Sequence, residues 1–381
     1  MEALDLEVKR GESEQSHERS DLETTVAAEM VSGGDAKRPR KGNNDHHAME
    51  VVEEEEDGEM GAYEIFEIHR KDWIASYGKN DAAAFYKPTE LLPMRHTDGP
   101  VIPFFVTPMD TMEIFLVKVA HLTDGLQWPL DVYGDVAVRD SLDWKRNYLF
   151  CRDRNNCQTL TSSQAPKASS LSLSFHPNPA TSCACPSRAV MLLDGPIFEI
   201  DLKVKGKGSS ALSEDDKVLC LDYFGYNCIA YRGSSSYAKT KEVPSESCAM
   251  EFRFAHIINS VEATVTAHIT NASCSFSARF SAHTTSIGED VVLLDTRGQE
   301  VVPVKDDGEI TLRRRVVVVE DHHQGQLILG LDAVLFGGDT GETTAVSQKL
   351  TYYPRSALRS VAYFDVGLVR IKMCVAWSLL P

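Results

Sequence analysis

From about Met112 onward the apolar residues fall on every second position, and this alternation limits the fold more than any other feature of the chain. In "LDVYGDVAV", Leu130, Val132, Val136 and Val138 share one side, and Asp131 and Asp135 take the other. In "IFEIDLKVKG", Phe198, Ile200, Leu202 and Val204 alternate with Glu199, Asp201, Lys203 and Lys205. The pattern returns in "VEATVTAHI", where Val261, Ala263, Val265 and Ile269 oppose Glu262, Thr264, Thr266 and His268. "FSARFSA" places Phe276, Ala278, Phe280 and Ala282 together. "LVRIKMCVAWSLL" aligns Val369, Ile371, Met373, Val375 and Trp377, with Arg370, Lys372 and Ser378 opposite. A period of two with one apolar side is the signature of half-buried antiparallel strands. Turn residues such as Asp194-Gly195-Pro196, Asp307-Gly308 and Gly337-Gly338 separate the segments. No helical period of useful length interrupts them. The expected fold class is therefore mainly β, an antiparallel β-sandwich, one large or two joined. Trp128-Pro129 is expected to begin its strand, since proline is tolerated at a first strand residue, and Trp128 and Trp377 to anchor the core.

The chain ahead of this core reads differently. Residues 1–62 are rich in Glu, Ser and Gly and contain no aromatic residue. They cannot bury enough apolar surface to offset chain entropy, so they read as a disordered acidic tail. The acidity is concentrated there. Residues 1–60 carry 7 Lys and Arg against 18 Asp and Glu, and the remaining 321 residues carry 32 against 38. The nearly balanced remainder argues against nucleic-acid binding through whole-protein charge. Residues 63–110 read as a short helix and a Pro-rich connector. Ile65, Phe66, His69, Trp73 and Tyr77 recur at helical spacing and form a stripe that must dock, most simply on the β core. Pro88, Pro93, Pro100, Pro103 and Pro108 then break any helix. Residues 111–381 form the sandwich core, with a low-complexity Ser/Ala/Pro-rich insert at 162–185 that reads as a disordered loop or a translated intron.

Several function classes find no footing. The first residues lack a basic region followed by an apolar stretch, so no secretory signal is expected, and no apolar run approaches the roughly 18 residues of a membrane helix. These features predict a cytoplasmic or nuclear chain that is not secreted. The nine cysteines include no C-x-x-C pair. Cys183 and Cys185 lack a second pair at finger-like spacing, so free thiols are expected rather than zinc. No G-x-S-x-G, H-E-x-x-H, phosphate-loop or dinucleotide motif occurs. "FGGDTGETT" (Phe336–Thr344) lacks a following helix and reads as a hairpin loop. His322-His323 reads as a solvated turn, because adjacent strand residues point to opposite faces. Arg313-Arg314-Arg315 and Lys203/Lys205/Lys207 read as solvated faces, since no aromatic ladder is interleaved with them. No catalytic residue, cofactor or metal ligand is assigned.

Two features carry a specific functional expectation. Lys37, Arg38, Arg40 and Lys41 form a compact basic cluster in the tail, the kind of accessible run a nuclear import receptor reads. Its bland counterpart is a charge block with no reader. Asp131, Asp140, Asp143 and Asp194 lie near strand ends, where aspartates gathered at one end of a sandwich can hold calcium at a membrane surface. Aspartate is also a common turn residue.

The stretches from "MRHTDGPVIPFFVTPMDTMEIFLVKVAHLTDGLQWPLDVYGDVAVRDSLDWKRNYLF" through "NCQTL", "PSRAVMLLDGPIFEIDLKVKG", "VEATVTAHI", "IGEDVVLLDTRG" and "MCVAWSLL" resemble, by wording and order, a plant family abundant in grasses, domain of unknown function 6598. The resemblance covers most of residues 110–380, apart from the insert, and reaches back to "IHRKDW". It is also similar to the non-toxin part of cereal jasmonate-induced ribosome-inactivating proteins, and so implies a stress or defence association. The toxin's Glu-x-x-Arg helix has no counterpart, since Glu251-Phe252-Arg253 has the wrong spacing and lies in an alternating segment. The expectation is a non-catalytic β-sandwich interaction module with an unidentified protein partner. A calcium- or lipid-binding sandwich is the alternative, and a ribosome-inactivating enzyme is disfavoured.

Overall fold

A computed structural model describes residues 60–99, 102–161, 186–206, 215–229, 233–272, 274–297, 301–322, 324–336 and 343–380. Among these the fold is mainly β, with antiparallel sheets and one α-helix, α1 (Ala62–Ser76). Residues 1–59 of the acidic tail and the 162–185 insert lie outside the described residues, and Ala62, read as the end of the tail, already begins α1.

Eight strands precede the longest one: β1 (Met109–Leu122), β2 (Leu130–Arg139), β3 (Asn147–Arg152), β4 (Gln158–Leu160), β5 (Val190–Met191), β6 (Ile197–Val204), β7 (Lys217–Gly225) and β8 (Tyr237–Pro244). The ninth, β9 (Cys248–Ala272), runs 25 residues. Eight more follow: β10 (Phe276–Thr284), β11 (Ile287–Asp295), β12 (Glu309–Ile310), β13 (Val316–Glu320), β14 (Leu327–Phe336), β15 (Thr343–Tyr352), β16 (Arg359–Val366) and β17 (Val369–Ser378).

Their pairing gives two sandwiches joined through β9. The first half of β9 pairs with β1 and β8, and the second half with β17, β13 and β12. A separate sheet β3-β2-β6-β7, with β4 beside β2, faces the first half. Another, β11-β10-β14-β15, faces the second. The first core holds Leu130, Val132, Val136 and Val138 of β2, Phe198, Ile200 and Leu202 of β6, and Met250, Phe252 and Phe254 of β9. The second holds Val261, Ala263, Val265 and Ala267 of β9, Phe276, Ala278, Phe280 and Ala282 of β10, alternate residues of β14 and Trp377. The alternation read in the sequence is thus the core pattern. Trp377 is fully buried, whereas Trp128 is only part-buried against the first core.

The inward residues of β9 change parity, from even numbers in the first core to odd numbers in the second. The switch falls at Asn259, whose φ of 41° is left-handed. There the register with β1 slips between Met109 opposite Ser260 and Thr111 opposite Ile257. An extra residue in one strand reverses which side chains face in. Asparagine tolerates the left-handed region better than most residues.

The helix docks on the outer face of the first sandwich. Phe66 and Trp73 pack with Phe85, from a 3-10 turn at Ala82–Tyr86, against Leu221 and Tyr223 of β7. Ile65 and Tyr77, expected in the docking stripe, are largely exposed, although Tyr77 stacks on Trp144.

Candidate functional site

Glu199 and Glu262, which alternation places on outer faces, are buried, and so are Glu113 and Asp140. Glu199 of β6 lies beneath α1. It accepts from Arg139 Nε at 2.6 Å, Arg146 Nε at 2.7 Å and His69 Nε2 at 2.8 Å. Burial alone pushes its carboxyl up, but the His69 hydrogen bond and the two guanidinium groups outweigh that and hold it down at about 2. Arg139 also donates to the carbonyls of Phe85 and Trp144, and its guanidinium lies 4.4 Å from the Trp73 ring. Glu113 of β1 pairs with Arg314 and accepts from the Val318 amide at 2.7 Å. Glu262 of β9 makes no ion pair with an arginine among the described residues. It accepts from the amides of Met94 at 3.0 Å and Ala189 at 2.8 Å, and burial raises its carboxyl, although those bonds and the nearby Arg188 offset part of the rise. Asp140 is held by Arg188 through two hydrogen bonds of 2.6 and 2.8 Å.

These contacts correct three sequence readings. Glu199 and Glu262 do not sit on solvated faces, because a helix and a returning loop cover them. Arg314 is not part of a solvated basic run, because Glu113 and the Ile114 carbonyl hold it inside. Of the four candidate calcium aspartates, Asp140 and Asp143 both bind Arg188, and Asp143 also accepts from Thr89. Asp131 accepts from Thr159, and Asp194 is exposed. Among the described residues no group of three or more His, Cys, Asp and Glu is arranged to hold a metal. The basic cluster Lys37, Arg38, Arg40 and Lys41 lies outside the described residues, as does His323. His322 accepts from the Gln324 amide in a turn. The 336–344 stretch joins the paired ends Phe336 and Thr343 of β14 and β15, the geometry of a hairpin.

One constellation looks catalytic by composition. His256 donates from Nε2 to Asp110 at 3.1 Å, which leaves Nδ1 to accept from the Tyr226 hydroxyl at 3.1 Å. The Tyr237 hydroxyl bonds to that of Tyr226. His256 and Tyr226 are buried, at 2 % and 6 % exposure. The group fastens β8, β9 and the start of β1. Cys220 and Cys248 share a hydrogen bond inside the first core; that bond with burial pushes the Cys220 thiol well up and disfavours a thiolate there, while the same bond lowers Cys248.

The open polar surface is elsewhere, on the outer face of β11-β10-β14-β15. Strand register sets out its residues as a grid. Arg279 lies opposite Asp332, which lies opposite Ser347. Ser281 lies opposite Gly330, which lies opposite Lys349. His283 pairs with Asp290 on β11, their side chains 3.4 Å apart. Arg279 reaches Asp290 only at 3.5 Å, and the Lys349 ammonium makes no ion pair with the described residues. Ser347 donates to Asp332 at 2.7 Å. These residues line a concavity of about 490 Å3. Gly330 forms its floor, and a Cβ there would stand 2.7 Å from Ser281 Oγ. Sequence reasoning missed this face because each residue in it looks like an ordinary outer-face polar group. Only the register of four strands brings them together.

No curated protein matches the chain. Among solved structures, the paired C2 domains of extended synaptotagmin 2 align at 9% identity over 77% of this chain and 100% of that one, with a TM-score of 0.23. Their calcium-bound form aligns at 9% identity over 72% and 98%, with a TM-score of 0.22. Human GIVD cytosolic phospholipase A2 aligns at 6% identity over 72% of this chain and 33% of that one, with a TM-score of 0.20. Likenesses this distant carry no argument about this chain. No helix among the described residues is long and apolar enough to cross a membrane. The family described as Domain of unknown function (DUF6598) matches residues 111–375, the span from β1 to near the end of β17, and the chain belongs to it.

Proposed function

We propose that this chain is a non-catalytic binding module whose recognition surface is the outer face of the β11-β10-β14-β15 sheet. One observation carries the reading. This face combines a concavity of ligand-site size with an exposed Lys349 ammonium that makes no ion pair among the described residues, and with Asp332 and Asp290 held only by neighbours on the same open face. The buried carboxylates, by contrast, are each committed to arginines, histidine or backbone amides that hold the fold together. Nothing on the open face favours turnover. His283 is oriented by Asp290, but Ser281 makes no hydrogen bond to the ring among the described residues, so no nucleophile is activated there. The seven described cysteines are free thiols, which supports work in a reducing compartment. For the calcium-dependent alternative, Asp140 and Asp143 are already engaged by Arg188.

The test is comparative retention. Plant extract is passed over the immobilised full chain and over an Arg279→Ala, Asp332→Ala, Lys349→Ala variant that melts at the same temperature. A ligand held by the parent alone and released chemically unchanged supports the reading. Equal retention by both defeats it, and release of an altered ligand removes the word non-catalytic.

A further inference from the structure

We infer that the ligand of this open face is a neutral, hydroxyl-rich chain, an oligosaccharide segment, lying over Gly330 between Ser281 and Lys349. The inference rests on the recognition surface proposed above and names the chemistry that surface is built to read.

Charge is the first argument. The lining carries Arg279 and Lys349 against Asp290 and Asp332, with His283 beside Asp290. Formal charges cancel, and both signs alternate across neighbouring strands. A phosphate or an anionic headgroup seated here meets two carboxylates as soon as it meets the two cations. A metal ion meets the reverse. A net field that selects an ion is therefore absent.

Hydrogen-bonding capacity is the second. Arg279 and Lys349 only donate, Asp332 and Asp290 only accept, and Ser281 and Ser347 do both. A sugar hydroxyl is donor and acceptor at once, so neighbouring hydroxyls can be read by a carboxylate on one side and a cation on the other. Such bonds to charged groups are the stronger ones. The third argument is the shape of the floor. Gly330 has no side chain between Ser281 and Lys349, and the depression it leaves opens onto the sheet surface rather than into a closed pocket. An extended ligand fits an open trough better than a compact one does.

The apolar content argues the same way. Ile328 is the sole large apolar residue of the lining, which holds no Phe, Tyr or Trp ring. A protein partner's hot spot takes aromatic and apolar anchors that exclude water, and this face offers only Ile328 and the neighbouring Val292. The lack of such a ring for stacking also means that each sugar unit is held only by hydrogen bonds. Affinity then depends on several units engaging together.

The experiment uses the full chain and defined probes: cellohexaose, xylohexaose, mannohexaose and maltohexaose, each with its monosaccharide, plus inositol hexakisphosphate and phosphatidylserine vesicles. Binding is read by calorimetry and by hydrogen exchange over β10, β14 and β15. The expected result is saturable binding of at least one hexasaccharide, about tenfold or more tighter than its monosaccharide. Asp332→Ala and Lys349→Ala should each weaken it by about tenfold, the share of one charge-assisted hydrogen bond. Gly330→Val, which fills the floor, should abolish it while leaving the melting temperature near that of the parent. If no hexasaccharide saturates the chain, the inference is overturned. It then falls alone when extract still yields a ligand sensitive to the triple substitution, because the face recognises something else. Binding of inositol hexakisphosphate or of the vesicles, lost in Lys349→Ala, overturns it in favour of an anion. Hexasaccharide binding that ignores all three variants overturns both the inference and the choice of face.

Discussion

Glu199 gathers two guanidinium groups and an imidazole onto one carboxylate beneath α1. Replacing it with Gln leaves Arg139 and Arg146 buried without their counter-charge. Breaking one side of a buried pair costs about 3–5 kcal/mol, and urea unfolding of Glu199→Gln should show a loss of that size. The same residue sets a pH dependence. Its carboxyl is held at about 2 in the fold, below the ordinary value of about 4.3 in an unfolded chain. A depressed carboxyl contributes stability above the unfolded value, and loses it as pH falls through the folded value. The share at pH 7 is about 3 kcal/mol, most of it gone by pH 2.5. The stability gap between parent and Glu199→Gln should therefore be widest above pH 5 and narrow towards pH 2.5. A gap that stays constant across that range shows that the Glu199 carboxyl does not titrate differently in the two states.

Two elements do more than fill space. The long strand β9 serves both cores because the irregularity at Asn259 turns its inward side chains from even to odd positions. A β-branched residue is strained at a φ of 41°, so Asn259→Ile should cost about 1–3 kcal/mol, whereas Asn259→Gly should be close to neutral. Chemical denaturation of the two variants separates backbone strain from side-chain loss, since both lack the amide. Helix α1 is held by Phe66 and Trp73, and the Trp73 indole donates to the Trp144 carbonyl at 2.9 Å. Its docking shields Glu199 and the two arginines from water. Trp73→Ala removes a large buried side chain, the cation-π partner of Arg139 and a hydrogen bond, and a loss of about 3–5 kcal/mol is expected on thermal or urea unfolding.

At the scale of the molecule, the described sheets form two sandwiches that share a continuous strand. Neither core is complete without β9, since each takes a run of its residues. A third apolar cluster joins Ala255 and Ile257 of β9 with Val316 and Val318 of β13, Met191 of β5 and Ile287 of β11. The two sandwiches should therefore unfold as one unit. Val136→Asp buries an unpaired charge in the first core alone, an expensive change. Hydrogen exchange should nonetheless show protection lost across β10 and β14 of the second. Retained protection there means that the sandwiches fold independently and that β9 is a passive tether.

The antiparallel β architecture, the inward residues of most strands and the docking helix were legible in the sequence, and so was the family. Each of these depends on a local period, two for a strand and near 3.6 for a helix, and a period is visible in one dimension. The burial of Glu199, Glu262, Arg314 and Asp140 was not. A charged residue at an outward position looks the same whether water or another segment covers it, and the covering partners lie as many as 205 positions away, as for Glu113 and the Val318 amide. The parity switch at Asn259 was hidden for a related reason, because one residue of irregularity inside a long apolar segment leaves the alternation intact on either side. The open face was hidden most completely. Arg279, Ser281, Gly330, Asp332 and Lys349 become neighbours only through the register of β10, β14 and β15, which is set by hydrogen bonds between strands and by core packing. The sequence by itself determined which side of each strand turns inward; the tertiary structure alone decided which outward groups meet, and whether they meet water or one another.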